Sequence, residues 1–277
     1  MILGLILGSF LNVVIYRLPL MLQKAWQQEY EEVLRESEHV QAIPDDEKTF
    51  DLCFPPSHCP RCQHHLGILE NIPVLSYLFL RGQCRSCHQK ISWQYPLVEI
   101  LSAVLGLFCL IKFGLSLLFI AAFLFSLFLL VLAVIDLKHQ ILPDMMTLPL
   151  LWLGLIFSLF QGFTTPTDAI IGACAGYLSL WFVNQVFSLL MGKQGMGYGD
   201  FKLLAALGAW MGWQMLPLII LISAGLGALI GGTLILIGAH RREQPIPYGP
   251  FLAFAGWICL FFRVDLMHLY SRITGVF

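Results

Sequence analysis

The sequence predicts an all-α polytopic membrane protein of about eight transmembrane helices, with a small cytoplasmic four-cysteine domain between helices 1 and 2. Three observations carry this expectation. First, of 277 residues 58% are hydrophobic and 12% charged, with a mean hydropathy of +0.77. An ordinary globular chain carries about 25% charged residues, so a soluble protein of this size would lack the polar surface to cover itself. Second, the charges are segregated. Eight Lys/Arg and eleven Asp/Glu fall between Arg17 and Glu99, whereas Asp136, Asp144, Asp168 and Asp200 are the only acids between Ile100 and His240. Third, two C-x2-C pairs lie inside the polar segment. The net charge of -1 excludes a general nucleic-acid binder, since no basic excess is available to neutralise phosphates.

A spanning helix needs about 20 mostly apolar residues. The candidates are Met1–Tyr16, Leu97–Ile111, Leu115–Ile135, Met145–Gln161, Ala169–Met191, Phe201–Trp213, Leu216–Gly238 and Phe251–Phe262, several of them short. Gly212, Trp213 and Pro217 give only a weak break between the sixth and the seventh. Met1–Tyr16 lacks the charged start and small-residue cleavage site of a signal peptide, so it reads as the first transmembrane helix. The expected division is residues 1–16, first transmembrane helix; 17–96, cytoplasmic metal-binding domain; 97–277, transmembrane body. With Arg17–Pro96 in the cytoplasm, thirteen Lys/Arg lie on that side and only Lys112, Arg263 and Arg272 on the other, which satisfies the positive-inside rule. Asp136, Asp144 and Asp200 then fall at cytoplasmic helix ends, and Asp168 on the opposite side. Small residues four apart (Gly4 and Gly8, Gly172 and Gly176, Gly227 and Gly231) are expected to let helix backbones approach within the bundle.

In the polar segment, Cys59-Pro-Arg-Cys62 and Cys84-Arg-Ser-Cys87 are separated by 21 residues. Two such turns present four thiolates to one tetrahedral ion at a spacing near the zinc-ribbon range. A reducing cytoplasm favours metal over disulfides, and one redox pair would have sufficed for thiol chemistry, so a structural Zn2+ is expected. His58, His64, His65 and His88 read as solvated loop residues and Cys53 as a bystander. Cys109, Cys174 and Cys259, in apolar spans, read as small buried hydrophobes. Gln23–Lys48 reads as an amphipathic helix followed by a loop.

The sharpest signal lies in Ile135-Asp136 through Pro143-Asp144 and in Gly195-Met-Gly197-Tyr-Gly199-Asp200-Phe201. Ionisable residues within hydrophobic surroundings are costly and functional by default. Asp136 ends one span and Asp200 opens another, so packing can bring the carboxylates together. Two close carboxylates share a proton, and one can then act as base on a water while the other polarises a scissile carbonyl. Gly197 and Gly199 are expected to supply backbone freedom and room for an extended peptide. On spacing alone, an ion-coupled transporter with an Asp pair fits as well. So do plain helix caps at Asp144 and Asp200 and a counter-ion role for Asp136 toward Lys138 or His139.

More of the chain bears on the choice. Gly197-Tyr198-Gly199-Asp200 is a G-x-G-D element. With Asp136 and Leu142-Pro143-Asp144 it resembles the type IV prepilin peptidase family of intramembrane aspartic proteases. Gly8-Ser9-Phe10-Leu11-Asn12 with Arg17-Leu18-Pro19, Tyr95-Pro96-Leu97-Val98-Glu99 and Pro247-Tyr248-Gly249-Pro250-Phe251 extend the resemblance over nearly the whole chain. The resemblance implies a bacterial inner-membrane enzyme that removes the basic leader of type IV prepilins and type II secretion pseudopilins at the cytoplasmic face. Asp136 and Asp200 match the catalytic pair, and residues 97–277 become the peptidase domain. Asp144, in the Leu-Pro-Asp element, is the next candidate for a catalytic role, with N-capping the role expected first. It implies, too, N-methylation of the new N-terminus with S-adenosylmethionine, although no G-x-G-x-x-G element marks a donor site. Gly82 and Gln83 match positions sensitive for methylation, Gln83 departing from the lysine common there, and the four cysteines match a metal-binding tetrad. Glu29, Glu31, Glu32, Glu36, Glu38, Asp45, Asp46 and Glu47 offer either charge complementarity to a basic leader or a solvated acidic face.

Overall fold

The computed structural model describes residues 1–38, 50–160, 162–193, 195–238 and 246–274. Among them each of the eight apolar segments is helical, and extended pairing is limited to two isolated bridges. The chain divides into two compact units, Met1–Phe108 and Cys109–Phe277.

In the first unit, α1 covers Ile2–Glu38. It does not end at Tyr16, where the apolar stretch stops. Met21–Glu38 is rich in Leu, Gln, Glu, Lys and Ala, which favour helix without any help from burial, and Pro19 is carried inside at the loss of one backbone hydrogen bond. Glu29, Glu31 and Glu32 are exposed on this extension. The side chains of Glu36 and Glu38, and all of Asp45, Asp46 and Glu47, lie outside the described residues. The buried Arg17 ties the following segment to α1, donating to the Asp51 and Pro55 carbonyls at 2.9 and 2.6 Å. After a 3-10 turn at Ile68–Asn71 and the short α2, Leu75–Phe79, comes α3, Gln94–Phe113. Gly4 and Gly8 lie against α3. A Cβ on Gly4 would stand 2.6 Å from the Ala103 Cα, and one on Gly8 2.7 Å from the Glu99 Cα.

The second unit contains α4 (Leu117–His139), α5 (Asp144–Ser158), α6 (Pro166–Met191), α7 (Tyr198–Met211), α8 (Leu216–Leu236), α9 (Gly249–Phe261) and α10 (Arg263–Thr274). Ser116 caps α4 and Thr165 caps α6, each accepting a backbone N–H at 3.2 Å, with Pro166 at the first helical position of α6. The weak break before α8 is a true one. Gly212 sits at φ 81°, a region open to glycine, and Trp213–Met215 form a 3-10 turn. Asp168 clamps that turn, accepting from Trp213 Nε1 and Gln214 Nε2, each at 3.1 Å.

The centre of this unit is α7, which packs against α5, α6 and α9. From Asp200 to Met211 every residue but Lys202 is buried. Contact with α6 is glycine-mediated: the Gly172 and Gly208 backbones meet directly, and a Cβ on Gly176 would lie 2.6 Å from the Leu204 carbonyl. Trp210 anchors α7 to α5, its Nε1 donating to the Leu150 carbonyl at 2.8 Å while Gly154 leaves room for the ring. The expected spans thus become eight apolar helices of unequal length. Among the described residues five are long and apolar enough to cross a membrane, or six if α9 and α10, bent by 94°, form one span. At 14 residues, α7 is about 21 Å long and falls short of a hydrocarbon core of about 30 Å. Cys109 and Cys259 are buried as expected, whereas Cys174 is exposed on α6, so its apolar sequence context marks an outward face rather than the core.

Candidate aspartate and metal sites

Asp136 lies in the last turn of α4, which ends where Gln140 takes up a left-handed cap at φ 54°. Asp200 lies in the first turn of α7. Their exposures of 5% and 8% remove both carboxylates from bulk water. The Asp136 carboxylate pairs with neither Lys138 nor His139. It accepts the Gly249 N–H at 3.0 Å, one of the donors that the start of α9 leaves without an intrahelical partner. The Asp200 carboxylate reaches back to the backbone of Gly197, which occupies the N-cap position. The two carboxylates lie within each other's electrostatic reach, and Asp200 within that of the Tyr248 phenol. Tyr248 is fixed in turn by a 2.7 Å hydrogen bond to Ser223 on α8.

Leu142 holds these parts in register. A Cβ on Gly199 would meet the Leu142 Cβ at 2.7 Å. A Cβ on Gly249 would lie 2.6 Å from Asp136 Oδ2 and 3.2 Å from Leu142 Cδ1. Gly199 is therefore required for space rather than for backbone freedom, whereas a Cβ on Gly197 would meet nothing closer than Asp200 Oδ2 at 4.0 Å; Gly197 has φ -76°, and neither glycine has a positive φ. Asp144 differs from expectation as well. The N-cap of α5 is Pro143, and Asp144, the first helical residue, makes no cap hydrogen bond. Its carboxylate instead pairs with Lys202 Nζ at 2.6 and 2.7 Å, joining the starts of α5 and α7 on an exposed face.

Asn184 is a residue that the sequence reading passed over. It is buried on α6, and its Oδ1 accepts the N–H groups of Gly195 and Met196, both at 3.1 Å. It thereby sets the loop that delivers Asp200 to α7. The signal available was an amide inside an apolar span, where a polar side chain needs a partner. Asn184→Ala leaves two donors unpaired, each costing about 1–3 kcal/mol if it stays buried. The expected result is a kcat for peptide cleavage lowered about tenfold or more with little change in KM. An unchanged kcat would remove the positioning role.

In the first unit the sulfurs of Cys59, Cys62, Cys84 and Cys87 all lie within 4.8 Å of one another and could hold a metal ion. Cys59 Sγ is 3.8 Å from Cys87 Sγ, and Cys62 Sγ is 3.9 Å from Cys84 Sγ. The two turns are built alike. Cys59 N–H donates to the His64 carbonyl and Cys84 N–H to that of Gln89, while Gln63 and His88 bond back to the first cysteine of each pair. Both Gln63 and His88 are left-handed, at φ 58° and 55°. Backbone N–H groups of Cys62 and Arg61 pull the Cys59 thiol down to about 6, favouring the thiolate that a metal requires.

His64 is not merely solvated. Its Nε2 meets Glu70 at 3.1 Å, and Glu70 also faces Arg85 at 3.4 Å, so the carboxylate links the two knuckles. Cys53 is exposed and apart from the cluster, as expected. Gly82 and Gln83 precede the second knuckle. Gly82 has φ 68°, and a Cβ there would stand 2.8 Å from the Tyr77 hydroxyl; Gln83 pairs with Lys90 in an antiparallel bridge.

Fold and site together define a polytopic helical membrane protein with two water-excluded aspartates at neighbouring helix ends and a four-cysteine centre near its first helix. Residues 2–113 match the Bacterial Peptidase A24 N-terminal domain and residues 123–232 the Type IV leader peptidase family. The chain is 50% identical to the prepilin leader peptidase/N-methyltransferase of Aeromonas salmonicida, over 96% of this chain and 91% of that one. It is 49% identical to the protein of the same name from Pseudomonas putida, over 99% and 93%. The chain belongs to the type IV leader peptidase family. No solved structure matches it.

Proposed function

We propose that this protein cleaves the leader from type IV prepilins and type II secretion pseudopilins at the cytoplasmic face of the bacterial inner membrane, and then methylates the new N-terminal amine. The observation that carries the peptidase reading is the convergence of Asp136 and Asp200, 64 residues apart in sequence, in a site nearly closed to water. In this reading the pair shares one proton. The charged member takes a proton from the attacking water, and the protonated member donates a hydrogen bond to the scissile carbonyl and then supplies the leaving amine. Tyr248 and the Gly249 N–H position the pair, and the Asp144–Lys202 contact braces the two helix starts that flank it. The orientation rests on the thirteen-to-three distribution of Lys and Arg.

The metal in this reading is Zn2+. A tetrahedral Zn–S distance of about 2.3 Å implies sulfur–sulfur edges of about 3.8 Å, which the contacts of 3.8 and 3.9 Å match. With four thiolates no position is left for a reacting water, so the ion's role is structural. The methyl donor is S-adenosylmethionine: the terminal amine forms the new C–N bond as the C–S bond breaks, the electron pair stays on sulfur and the amine releases a proton. Gly82 serves this reaction by keeping Tyr77 in place.

The test is cleavage of a prepilin in liposomes, with the mass of the mature N-terminus read with and without S-adenosylmethionine. A one-methyl gain that depends on the donor is the expected result. Cleavage without that gain would reduce the protein to a peptidase, and no cleavage by the zinc-loaded chain would refute the reading altogether.

A further inference from the structure

The first unit holds a partly open cavity of about 490 Å³, inside the roughly 300–1,000 Å³ range of small-molecule and cofactor sites. Its walls come from α1, from the start of α3 and from both cysteine turns. None of the groups around Asp136 and Asp200 contributes to it.

Three features of the lining define the occupant. Glu99 is 8% exposed and accepts hydrogen bonds from the Val74 N–H, at 2.8 Å, and from Ser9. No cation among the described residues forms an ion pair with it, and a buried carboxylate without a counter-charge is costly. Of the cations that line the cavity, Arg17 donates to two backbone carbonyls and Arg85 faces Glu70. Asn12 is 3% exposed, and its Nδ2 donates to the Tyr95 carbonyl at 2.9 Å while its Oδ1 has no partner. That oxygen is an acceptor in search of an N–H. Finally, Tyr16, Tyr77 and Tyr95 supply aromatic walls, which suit both a heteroaromatic ring and a cation. Arg17, Arg85 and Lys90 line the cavity too, so the lining suits a small zwitterionic ligand that offers a cation to Glu99, an anionic group, N–H donors and an aromatic part.

We propose that this cavity is the methyl-donor site, with Glu99 facing the sulfonium of S-adenosylmethionine, Asn12 Oδ1 accepting an N–H from the donor, and the tyrosines enclosing its adenine; the assignment rests on the methyltransferase reading above. It also gives Gly82 a physical role. Tyr77 is a wall of the cavity, and any side chain at Gly82 would press on its hydroxyl, changing the shape of the site without touching the donor.

The experiment uses the full zinc-loaded chain in detergent. Binding of S-adenosylmethionine and of S-adenosylhomocysteine, which lacks the sulfonium charge, is measured for the parent, Glu99→Gln and Asn12→Leu, with zinc content and helicity confirming that each variant is folded. Glu99→Gln weakens S-adenosylmethionine about tenfold and S-adenosylhomocysteine much less, whereas Asn12→Leu weakens both alike, by about tenfold. Photolabelling of the parent with radioactive S-adenosylmethionine, which does not depend on any variant, places the label within residues 9–17 or 77–99. Label within residues 109–277, or variants that bind like the parent, would overturn the site while leaving methyl transfer standing. Equal losses of both ligands in Glu99→Gln would overturn the placement of the sulfonium. A parent that cleaves prepilin but neither binds the donor nor transfers methyl would refute the methyltransferase reading and this site together.

Discussion

Replacing Asp200 by asparagine lowers prepilin cleavage by about 10²–10⁴-fold, the range general acid–base catalysis supplies, and Asp136→Asn does the same. Asparagine keeps the shape of the side chain and can still accept from Gly197 or Gly249, so both variants stay folded. What each loses is the ability to hold or pass a proton. If the two carboxylates act as a unit, the double variant is hardly slower than either single one, because a broken pair cannot be broken again. Losses that multiply, with the double variant down by the product of the single effects, would instead describe two independent contributions. Retained cleavage in both single variants would remove the catalytic assignment. Rate constants for one fluorogenic prepilin peptide, measured with all four proteins, decide among these outcomes.

Why the sequence disclosed the aspartates but not their surroundings is a matter of distance along the chain. Asp136 and Asp200 stand out because a charge at the edge of an apolar run is rare and costly. The helices carrying them are legible in hydropathy alone. The partners come from elsewhere: Gly249 is 113 residues from Asp136 and Lys202 is 58 from Asp144. A local reading therefore assigned Asp144 to a cap. Asp200 is more instructive, because it does reach back to the helix N-cap and still belongs to the carboxylate pair. It is not the N-cap itself, a position that Gly197 holds; it lies three residues on and faces both Gly197 and Asp136. The extension of α1 was under-read because hydropathy marks where a helix leaves the apolar layer, not where it ends. Glu70 is a further case, since the role of His64 depends on a carboxylate that lies between the two cysteine pairs in sequence and meets both His64 and Arg85 in space.

Cys84→Ser abolishes metal binding and unravels the knuckles, and its effect on methylation exceeds its effect on cleavage. Cys84 is 5% exposed, and a serine hydroxyl at this position neither ligates zinc tightly nor packs as a thiolate does. Binding of structural zinc is worth on the order of 10–16 kcal/mol in zinc-finger peptides. The segment of residues 57–91 has little else to fold it. Among the described residues it holds one 3-10 turn, one five-residue helix and two isolated bridges. Left-handed conformations at Gln63 and His88 add strain of order 1 kcal/mol each, which a metal bound to the four sulfurs would offset. Loss of a metal held by these sulfurs therefore opens this segment to proteolysis and deforms the wall formed by Cys59, Tyr77 and Cys84 around the cavity. The contacts of the aspartate pair, from Gly197, Tyr248 and Gly249, all belong to the second unit and carry no such dependence. Zinc stoichiometry should fall from one to zero in Cys84→Ser, with new cleavage sites within residues 57–91 and a methylation rate that falls further than the rate of leader removal. A variant that keeps its zinc, or loses it with unchanged protease resistance, would show that the sulfurs do not hold this region together. Equal loss of both activities would make the metal a support for the whole molecule rather than for methyl transfer.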